Sequence, residues 1–436
     1  MIETSKMIDN KAQSAKSAPL GLGIDFGTSG VRIVVADLHG RMLHNEACSY
    51  DTGLEYWPDW RNSCCSLIQT IPNCLRQHII AIAVDGTSGT LLACRPNGLP
   101  IGNALPYYLA CPEQADLLRQ LIVSGGPAVS TSGSLARALR LLESTDNIAL
   151  LRHQADWISG WLLEDWCWGE ESNNLRLGWD PLQRSWPALL QAQPWSKMLP
   201  RIYPSGSVLG TISLRRSQEL GLPGDVSIVA GTTDANAAVL AAAPEAGDGV
   251  SVLGSTLVLK RFVSQPITAA PGVSTHRVNG RWLAGGASNA GCRTLLYFFN
   301  AEQLQVLSRQ IDPDHDSGLQ LRPLPSVGER FPVDDPELKP ILTPRPVSDA
   351  LFLQGLLEGL TRIEAAGWKR LISLGVPTPQ RIISVGGGAC NPQWRRMRER
   401  ILGLPVKACR RQPAAGMADL ALGSVLRNSR SPACNL

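Results

Sequence analysis

Apolar residues alternate with small or polar ones in two short runs near the N-terminus, at residues 20–24 and 31–36. This period of two predicts a pair of strands, which the sequence Gly-Thr-Ser-Gly at residues 27–30 joins. After a turn at residues 37–40, residues 41–49 have the character of a third strand. We therefore expect the chain to open with an antiparallel meander.

A second unit of strand, glycine-rich turn and strand follows a predicted helix over residues 60–78. Residues 79–84 form an apolar run that predicts a buried strand, and residues 91–94 predict the next one. Between them lies Asp-Gly-Thr-Ser-Gly-Thr at residues 85–90. The first half of the chain thus contains the same local arrangement twice.

The stretch from residue 113 to residue 168 has the apolar spacing of helices and is rich in tryptophan. Trp157, Trp161, Trp166 and Trp168 are expected to pack in a core or against a second domain rather than to stack on a cofactor.

The arrangement recurs in the second half of the chain. A strand at residues 226–230 leads into a small-residue helix at 235–243, and we place the hinge between two domains near this point. Residues 249–253 and 257–262 then predict two strands around the turn Gly-Ser-Thr. An irregular stretch rich in Pro and Asp follows, and after it the pattern predicts a helix over 348–374 and a strand over 381–385.

The turn at residues 27–30 has the chemistry of a phosphate site. Its glycines let several backbone N–H groups and the Thr28 hydroxyl converge on an anion. Asp25, at the end of the first strand, would lie beside those phosphates, which is tolerable when Mg²⁺ screens the charges. This combination indicates ATP chemistry, although a plain hairpin connector uses the same residue types.

Two further glycine-rich turns complete the set. The turn Gly254-Ser255-Thr256 repeats the first phosphate turn, so two hairpins facing each other across a cleft would hold a triphosphate from both sides. Residues 386–394 contain three glycines before a helix, for which Asn391 suits the N-cap. A flat ring or a phosphate could approach this turn, and close packing of strand and helix is the structural alternative.

Composition narrows the class of protein. A chain of 436 residues favours two domains, and 41 basic against 37 acidic residues without a basic block favour a small-molecule partner over nucleic acid or membrane. Eleven scattered cysteines without metal-site spacing fit reduced thiols in a cytoplasmic protein. No apolar stretch reaches the length of a membrane span.

With these motifs in order, residues 20–426 resemble the FGGY carbohydrate kinases, a branch of the actin, Hsp70 and sugar-kinase superfamily. The resemblance implies an α/β fold with two actin/Hsp70-like (ribonuclease H-like) domains and an interdomain cleft. It implies an N-terminal domain at 19–233 and a C-terminal domain at 234–428, with tails at 1–18 and 429–436. The monomer or a homodimer is the expected state.

The resemblance also implies roles for individual residues. Asp25 and Thr28 belong to the first phosphate motif, with Asp25 on Mg²⁺ through water, and Asp234 falls on the general base, where position alone equally favours a helix cap. Thr87 and Ser88, together with Asp25 and Asp234, are the expected sugar contacts. The expected contacts to ATP are Gly27, Thr28, Ser29, Gly254, Ser255, Thr256, Gly387, Gly388, Ala389, Asn391 and Trp394.

The substrate expected from the resemblance is a ketopentose. The run Val-Asp-Gly-Thr at residues 84–87 is similar to ribulose kinases, and the chain looks closest to the short D-ribulose kinases of cyanobacteria and plants. Relatives carry Asp-x-Arg where this chain has Leu109, Ala110 and Cys111, which leaves D-xylulose or another polyol or ketose as the alternative. Arg137 stands where the family's first signature usually has Lys. A non-catalytic nucleotide-binding relative is the alternative from another class.

Overall fold

The computed structural model describes residues 18–122, 126–267 and 270–430. The strands in the described residues are β1 (Leu20–Phe26), β2 (Gly30–Ala36), β3 (Met42–Ser49), β4 (Ile79–Gly86), β5 (Leu91–Cys94), β6 (Leu150–His153), β7 (Trp168–Glu170), β8 (Arg201–Tyr203), β9 (Val208–Thr211), β10 (Ser227–Thr233), β11 (Asp248–Leu253), β12 (Leu257–Val263), β13 (Val273–Val278), β14 (Arg281–Ala287), β15 (Arg381–Val385) and β16 (Val406–Ala408). The α-helices are α1 (Trp57–Thr70), α2 (Asn73–Arg76), α3 (Ala115–Leu121), α4 (Ser134–Ser144), α5 (Gln154–Leu163), α6 (Glu171–Asn174), α7 (Ala188–Gln191), α8 (Leu214–Leu220), α9 (Asp234–Ala242), α10 (Ala301–Ser308), α11 (Asp349–Ser373), α12 (Pro392–Leu402) and α13 (Pro413–Arg430).

The chain divides into two compact units. Of the described residues, the first unit contains those up to 241, those at 277–280 and those from 413 onward, and the second unit contains the others. The sequence-based boundaries, 19–233 and 234–428, put the last helix in the second domain, whereas α13 lies in the first unit. The mixed α/β class with two sheet-containing units is confirmed.

The first unit is built on a six-stranded sheet with the order β3-β2-β1-β4-β10-β9. Its three central strands, β1, β4 and β10, run parallel, and β2, β3 and β9 are antiparallel to their neighbours. One face of the sheet packs on α1 and α5 in an apolar core. Since parallel strands end at the same edge, this sheet brings the residues that follow β1, β4 and β10 together.

Helix α13 packs on β1, β2 and β4 at very short range. A Cβ atom at Gly23 would lie 1.8 Å from the carbonyl oxygen of Ala414, and one at Gly21 would lie 2.4 Å from that of Ala418. The two glycines of β1 and the alanines of α13 therefore allow backbone-to-backbone contact. This contact explains why α13 belongs to the first unit although it lies at the other end of the chain.

The second unit is built on another six-stranded sheet, with the order β13-β14-β12-β11-β15-β16. Strand β11 pairs antiparallel with β12 and parallel with β15, so the turn after β11 and the turn after β15 leave the same edge. The 25-residue helix α11 buries Phe352, Leu356 and Trp368 in the core of this unit.

Most of the predicted elements are present, with one correction. The stretch 113–168 was expected to be helical, but strand β6 interrupts it, and its last residue, Trp168, begins β7. Strand β6 pairs with β5, and the paired residues are more than 50 positions apart in the sequence. The local spacing of apolar residues does not reveal such a pairing. Trp157 and Trp161 are buried, as expected.

The chain ends fall mostly outside the described residues. Of the expected tails, residues 1–17 and 431–436 are not described, while residues 429 and 430 still belong to α13. Within the described residues, no helix combines the length and the apolar character that crossing a membrane requires.

Candidate active site

The predicted site residues divide between the two units. The first unit holds Asp25, the turn at 27–30, the turn at 85–90 and Asp234. The second unit holds the turn at 254–256 and the glycine-rich turn at 386–391.

The first phosphate turn joins β1 to β2 as predicted. The N–H of Gly27 donates to the carbonyl of Gly30 over 2.9 Å, and the Tyr50 hydroxyl donates to the carbonyl of Gly27 over 3.1 Å. Thr28 and Ser29 are exposed, and their backbone N–H groups have no hydrogen-bond partner in the described part of the chain. The turn therefore offers two amides and two hydroxyls to an anion.

Asp25 lies under this turn and is buried. Its exposed fraction is 2%, and its Oδ2 atom lies 3.3 Å from an amino nitrogen of Arg32 on β2. Burial raises the pKa of the Asp25 carboxyl, and a hydrogen bond from the Asp85 carboxyl together with the charge of Arg32 opposes that rise without cancelling it. Asp25 is therefore a desolvated carboxyl with one cationic neighbour.

Asp85 is the residue at this site that sequence analysis did not select. It pairs with Asp25 in the register of β1 and β4, it is fully buried, and none of the described residues donates a hydrogen bond to its carboxyl oxygens. Burial raises the pKa of Asp85 well above its usual range, and the charges of Asp25 and Asp234 raise it further. The repeated Asp-x-Gly-Thr or Asp-Gly-Thr pattern after two buried strands was a signal that would have found it.

Asp234 begins α9 directly after β10. Its Oδ1 atom accepts a hydrogen bond from the backbone N–H of Ala235 over 2.7 Å, and its side chain is half-buried. The N-terminus of a helix favours a negative charge, which keeps a carboxylate available as a base. Asp25 and Asp85, on the adjacent parallel strands β1 and β4, thus lie at the same edge of the sheet as Asp234, which directly follows the next parallel strand, β10.

The turn at 85–90 treats its two predicted sugar contacts differently. The Thr87 hydroxyl is buried and lies 2.8 Å from Oε1 of Gln154 and 2.6 Å from the hydroxyl of Thr90. Ser88 is half-buried, and its hydroxyl has no partner in the described residues. Thr87 is therefore engaged within the protein, whereas Ser88 is available to a ligand.

Arg137 joins this turn to the loop that contains Tyr107 and Leu109. The side chain is fully buried, and it donates to the carbonyl oxygens of Gly89 (2.8 Å), Tyr107 (3.1 Å), Leu109 (2.7 Å) and Ser132 (3.1 Å). Burial lowers the pKa of Arg137 to about 10. Lysine could not make this fork of hydrogen bonds, so an arginine at this position has a structural role.

The second phosphate turn joins β11 to β12. Ser255 is exposed, Gly254 and Thr256 are half-buried, and the two hydroxyls have no partner in the described residues. The N–H of Cys292 donates to the carbonyl of Gly254 over 2.9 Å. The backbone of the turn is therefore supported from one side, and its hydroxyls are left for a ligand.

The glycine-rich turn after β15 is shaped by the side chains of Asn391 and Trp394. Asn391 accepts the N–H groups of Gln393 and Trp394 over 3.0 Å each, which confirms the predicted N-cap, and its amide donates to the Ser308 hydroxyl over 2.9 Å. Trp394 is 3% exposed and lies against Gly388. Both side chains thus build the turn from within.

Gly387 marks the open face of the same turn. A Cβ atom placed there would meet nothing within 4 Å, whereas one at Gly388 would lie 2.6 Å from the ring of Trp394. Gly386 has a φ of +89° and lies close to the backbone of Leu253. The backbone at Gly387 is therefore the part of the turn that a flat ligand can approach.

The carboxylates suit a metal that arrives with a ligand. Across residues 18–122, 126–267 and 270–430, no group of three or more His, Cys, Asp or Glu side chains is arranged to hold a metal ion. Mg²⁺ is commonly bound through one or two carboxylates together with substrate phosphates and water. A buried pair of carboxyls beside a phosphate turn fits that mode.

Comparisons with known proteins find sugar kinases among the relatives of this chain. No protein-family model matches the chain. The L-fuculokinases of Escherichia coli (strain K12) and Salmonella typhi are 25% and 23% identical to it, and each alignment covers 88% of both chains.

Solved structures show the same fold. The xylulose kinase from Rhodospirillum rubrum matches with a TM-score of 0.78 and 19% identity, over 95% of this chain and 91% of that one. Plasmodium falciparum glycerol kinase with ADP matches with a TM-score of 0.78 and 14% identity, over 94% and 90%. The predicted actin/Hsp70-like fold class is confirmed, and the relatives are carbohydrate kinases.

Proposed function

We propose that this chain is an ATP-dependent carbohydrate kinase of the FGGY type that phosphorylates a ketose. The observation that carries the proposal is the placement of Asp25, Asp85 and Asp234 at one sheet edge, next to a phosphate turn in which the amides of Thr28 and Ser29 have no partner among the described residues. The names of the relatives support a sugar or polyol as the acceptor, since they are L-fuculokinases, xylulose kinases and a glycerol kinase.

The proposed reaction assigns the acceptor side to the first unit. Asp234 takes the proton of the sugar hydroxyl while the hydroxyl oxygen attacks the γ-phosphorus of ATP. The bond between that phosphorus and the β–γ bridging oxygen breaks, and ADP leaves with the electron pair. General-base catalysis of this kind contributes roughly 10²–10⁴-fold to the rate.

The phosphate turns supply the electrostatic part of the mechanism. The amides and hydroxyls of Thr28 and Ser29 would bind phosphate oxygens, and the hydroxyls of Ser255 and Thr256 would do the same from the second unit. Mg²⁺, when bound, neutralises charge on the β- and γ-phosphates, and Asp25 would hold it through water. The glycine-rich turn at 386–391 would bind the adenosine over Gly387.

D-Ribulose is the leading substrate, and its terminal hydroxyl would become the 5-phosphate. The turn at 85–90, with Ser88 open to a ligand, supports this assignment. L-Fuculose and xylulose are also ketoses, so the names of the relatives favour this class of acceptor. Leu109, Ala110 and Cys111 stand where FGGY kinases carry Asp-x-Arg. D-Xylulose and other ketoses or polyols are therefore alternative substrates.

The test is a panel of ketoses and polyols with MgATP, in which ADP release is measured for the wild type and for Asp234→Asn. We expect D-ribulose to give the highest kcat/KM and the variant to lose activity on every sugar. Highest activity on another sugar would move the substrate assignment. ATP binding without sugar-stimulated ADP release on any sugar would favour a non-catalytic nucleotide-binding protein.

A further inference from the structure

Tyr107 is held in place by the turn at 85–90. Its backbone N–H donates to the hydroxyl of Thr90 over 3.2 Å, and its carbonyl accepts a hydrogen bond from Arg137 over 3.1 Å. Arg137 also binds the carbonyl of Gly89, so the same guanidinium group fixes both segments. The position of Tyr107 is therefore set by the turn that we propose to bind the sugar.

The side chain of Tyr107 reaches the other turn of the same unit. Its hydroxyl lies 3.3 Å from the hydroxyl of Thr28, which belongs to the first phosphate turn. The ring meets Tyr108 edge to face, with 5.3 Å between the ring centroids. One tyrosine thus joins the turn proposed to bind the sugar to the turn proposed to bind the phosphate.

A second, buried connection already holds these two turns together. Gln154 is fully buried, and its Oε1 atom accepts the N–H of Thr87 over 3.1 Å. Its amide nitrogen lies 3.4 Å from the Tyr50 hydroxyl, which in turn donates to Gly27. The distance between the two turns therefore does not depend on Tyr107. The contact between the hydroxyls of Tyr107 and Thr28 affects only the orientation of the Thr28 hydroxyl.

The chemistry of a hydroxyl gives that orientation a consequence. Thr28 has one proton to donate, so while the two hydroxyls remain bonded that proton is available to a phosphate oxygen only when Tyr107 is the donor of the bond between them. The phenol of Tyr107 lies within donating distance of the Thr28 oxygen. When a hydroxyl accepts one hydrogen bond, the hydrogen bond that it donates becomes stronger.

We propose that Tyr107 is a positioning residue for phosphoryl transfer, whose hydroxyl donates to Thr28 and directs the Thr28 proton towards the transferring phosphate. This inference rests on the function proposed above. The Tyr107 hydroxyl is an uncharged group that lies two residues before Leu109, Ala110 and Cys111, where FGGY kinases carry Asp-x-Arg.

The test is a double-mutant cycle of Tyr107→Phe and Thr28→Val, both of which remove a hydroxyl and little else. We expect each single variant to lower kcat by about 10-fold, as for the loss of a hydrogen bond to a charged group, with the KM of the sugar within about twofold of the wild type. The double variant should be no worse than Thr28→Val within about twofold, because Tyr107 acts through Thr28.

Tyr108→Phe is the matched control. Tyr108 is the adjacent tyrosine, it is 51% exposed, and its hydroxyl binds Glu55 instead of a turn residue. We expect it to keep the kcat of the wild type. All four variants should keep the thermal midpoint of the wild type. The hydroxyls of Tyr107 and Thr28 take no part in the buried hydrogen bonds by which Gln154 connects the two turns.

A binding cycle separates this inference from the proposed function. The dissociation constant of the β,γ-imido analogue of ATP with Mg²⁺ is measured by calorimetry for the same variants, and it needs no turnover. We expect each single variant to weaken binding about threefold to tenfold and the double variant to add nothing further. Additive effects, or a Tyr107→Phe variant that behaves like Tyr108→Phe, overturn the role of Tyr107 while leaving kinase activity standing. If the wild type phosphorylates no sugar but the binding cycle is non-additive, the proposed function is wrong, and so is the role of Tyr107 in phosphoryl transfer. Only the coupling between the hydroxyls of Tyr107 and Thr28 would then remain.

Discussion

Asp25 and Asp85 lie opposite each other on the adjacent parallel strands β1 and β4, and both carboxyls are withdrawn from solvent. Asp25 has Arg32 as a cationic neighbour, whereas no described residue donates a hydrogen bond to the oxygens of Asp85. Two carboxyls in this position disfavour double ionisation, because each negative charge lies in the field of the other. The pair is therefore a source of pH-dependent stability.

Asp85→Asn should stabilise the nucleotide-free protein more at high pH than at low pH. The pKa of Asp85 is raised in the folded state, so its contribution to stability is present below the unfolded pKa and is lost as the pH rises. The loss is at most about 1.4 kcal/mol per pH unit for one group. Urea unfolding of both proteins between pH 5 and 8 measures the difference, and a difference that stays constant with pH would contradict this account.

Asp234→Asn should lower kcat by roughly 10²–10⁴-fold, because the amide cannot accept the proton of the acceptor hydroxyl. The affinity for the imido analogue of ATP should stay within about twofold, since the amide oxygen of Asn can still accept the N–H of Ala235 at the start of α9. Asp225→Asn is the matched control, because Asp225 is exposed and lies just before the same strand. Turnover equal to that of the control would remove Asp234 from the role of base.

Gly387→Ala should leave the fold intact and weaken nucleotide binding several-fold. Nothing lies within 4 Å of the added methyl group, so its cost is expected to fall on the ligand rather than on the protein. Gly388→Ala is the contrasting variant, because its methyl group would lie 2.6 Å from the ring of Trp394 and should lower the thermal midpoint. Calorimetric titration with the ATP analogue and thermal unfolding measure the two effects, and unchanged nucleotide affinity for Gly387→Ala would move the adenosine away from this face.

Asn391→Ala should destabilise the protein by about 1 kcal/mol through the loss of the N-cap of α12. It should also raise the KM for ATP, because the cap and the bond to Ser308 together fix the end of the glycine-rich turn. Ser308→Ala removes the second bond alone and is expected to keep the stability conferred by the cap. Equal destabilisation by Asn391→Ala and Ser308→Ala would show that the hydrogen bond between Asn391 and Ser308, and not the N-cap, supports the turn.

Local sequence was sufficient for the elements that depend on neighbouring residues. The alternation around residues 27–30 predicted the first hairpin, and Asn391 followed by Pro392 predicted the start of α12. These features follow from side-chain period, cap chemistry and turn chemistry, which act within a few residues. The resemblance to FGGY kinases added the order of the motifs and the actin/Hsp70-like fold, which comparison with solved structures confirmed.

Contacts between distant segments were decided only by the tertiary structure. Sheet pairing put Asp85 beside Asp25, close packing at Gly23 brought α13 to the first unit, and the 85–90 turn placed Tyr107 against Thr28. The physical reason is that burial and register depend on which strands become neighbours. The amino-acid sequence determined what chemistry each strand end carries, whereas the pairing of β1, β4 and β10 determined which of those carboxyls share one edge.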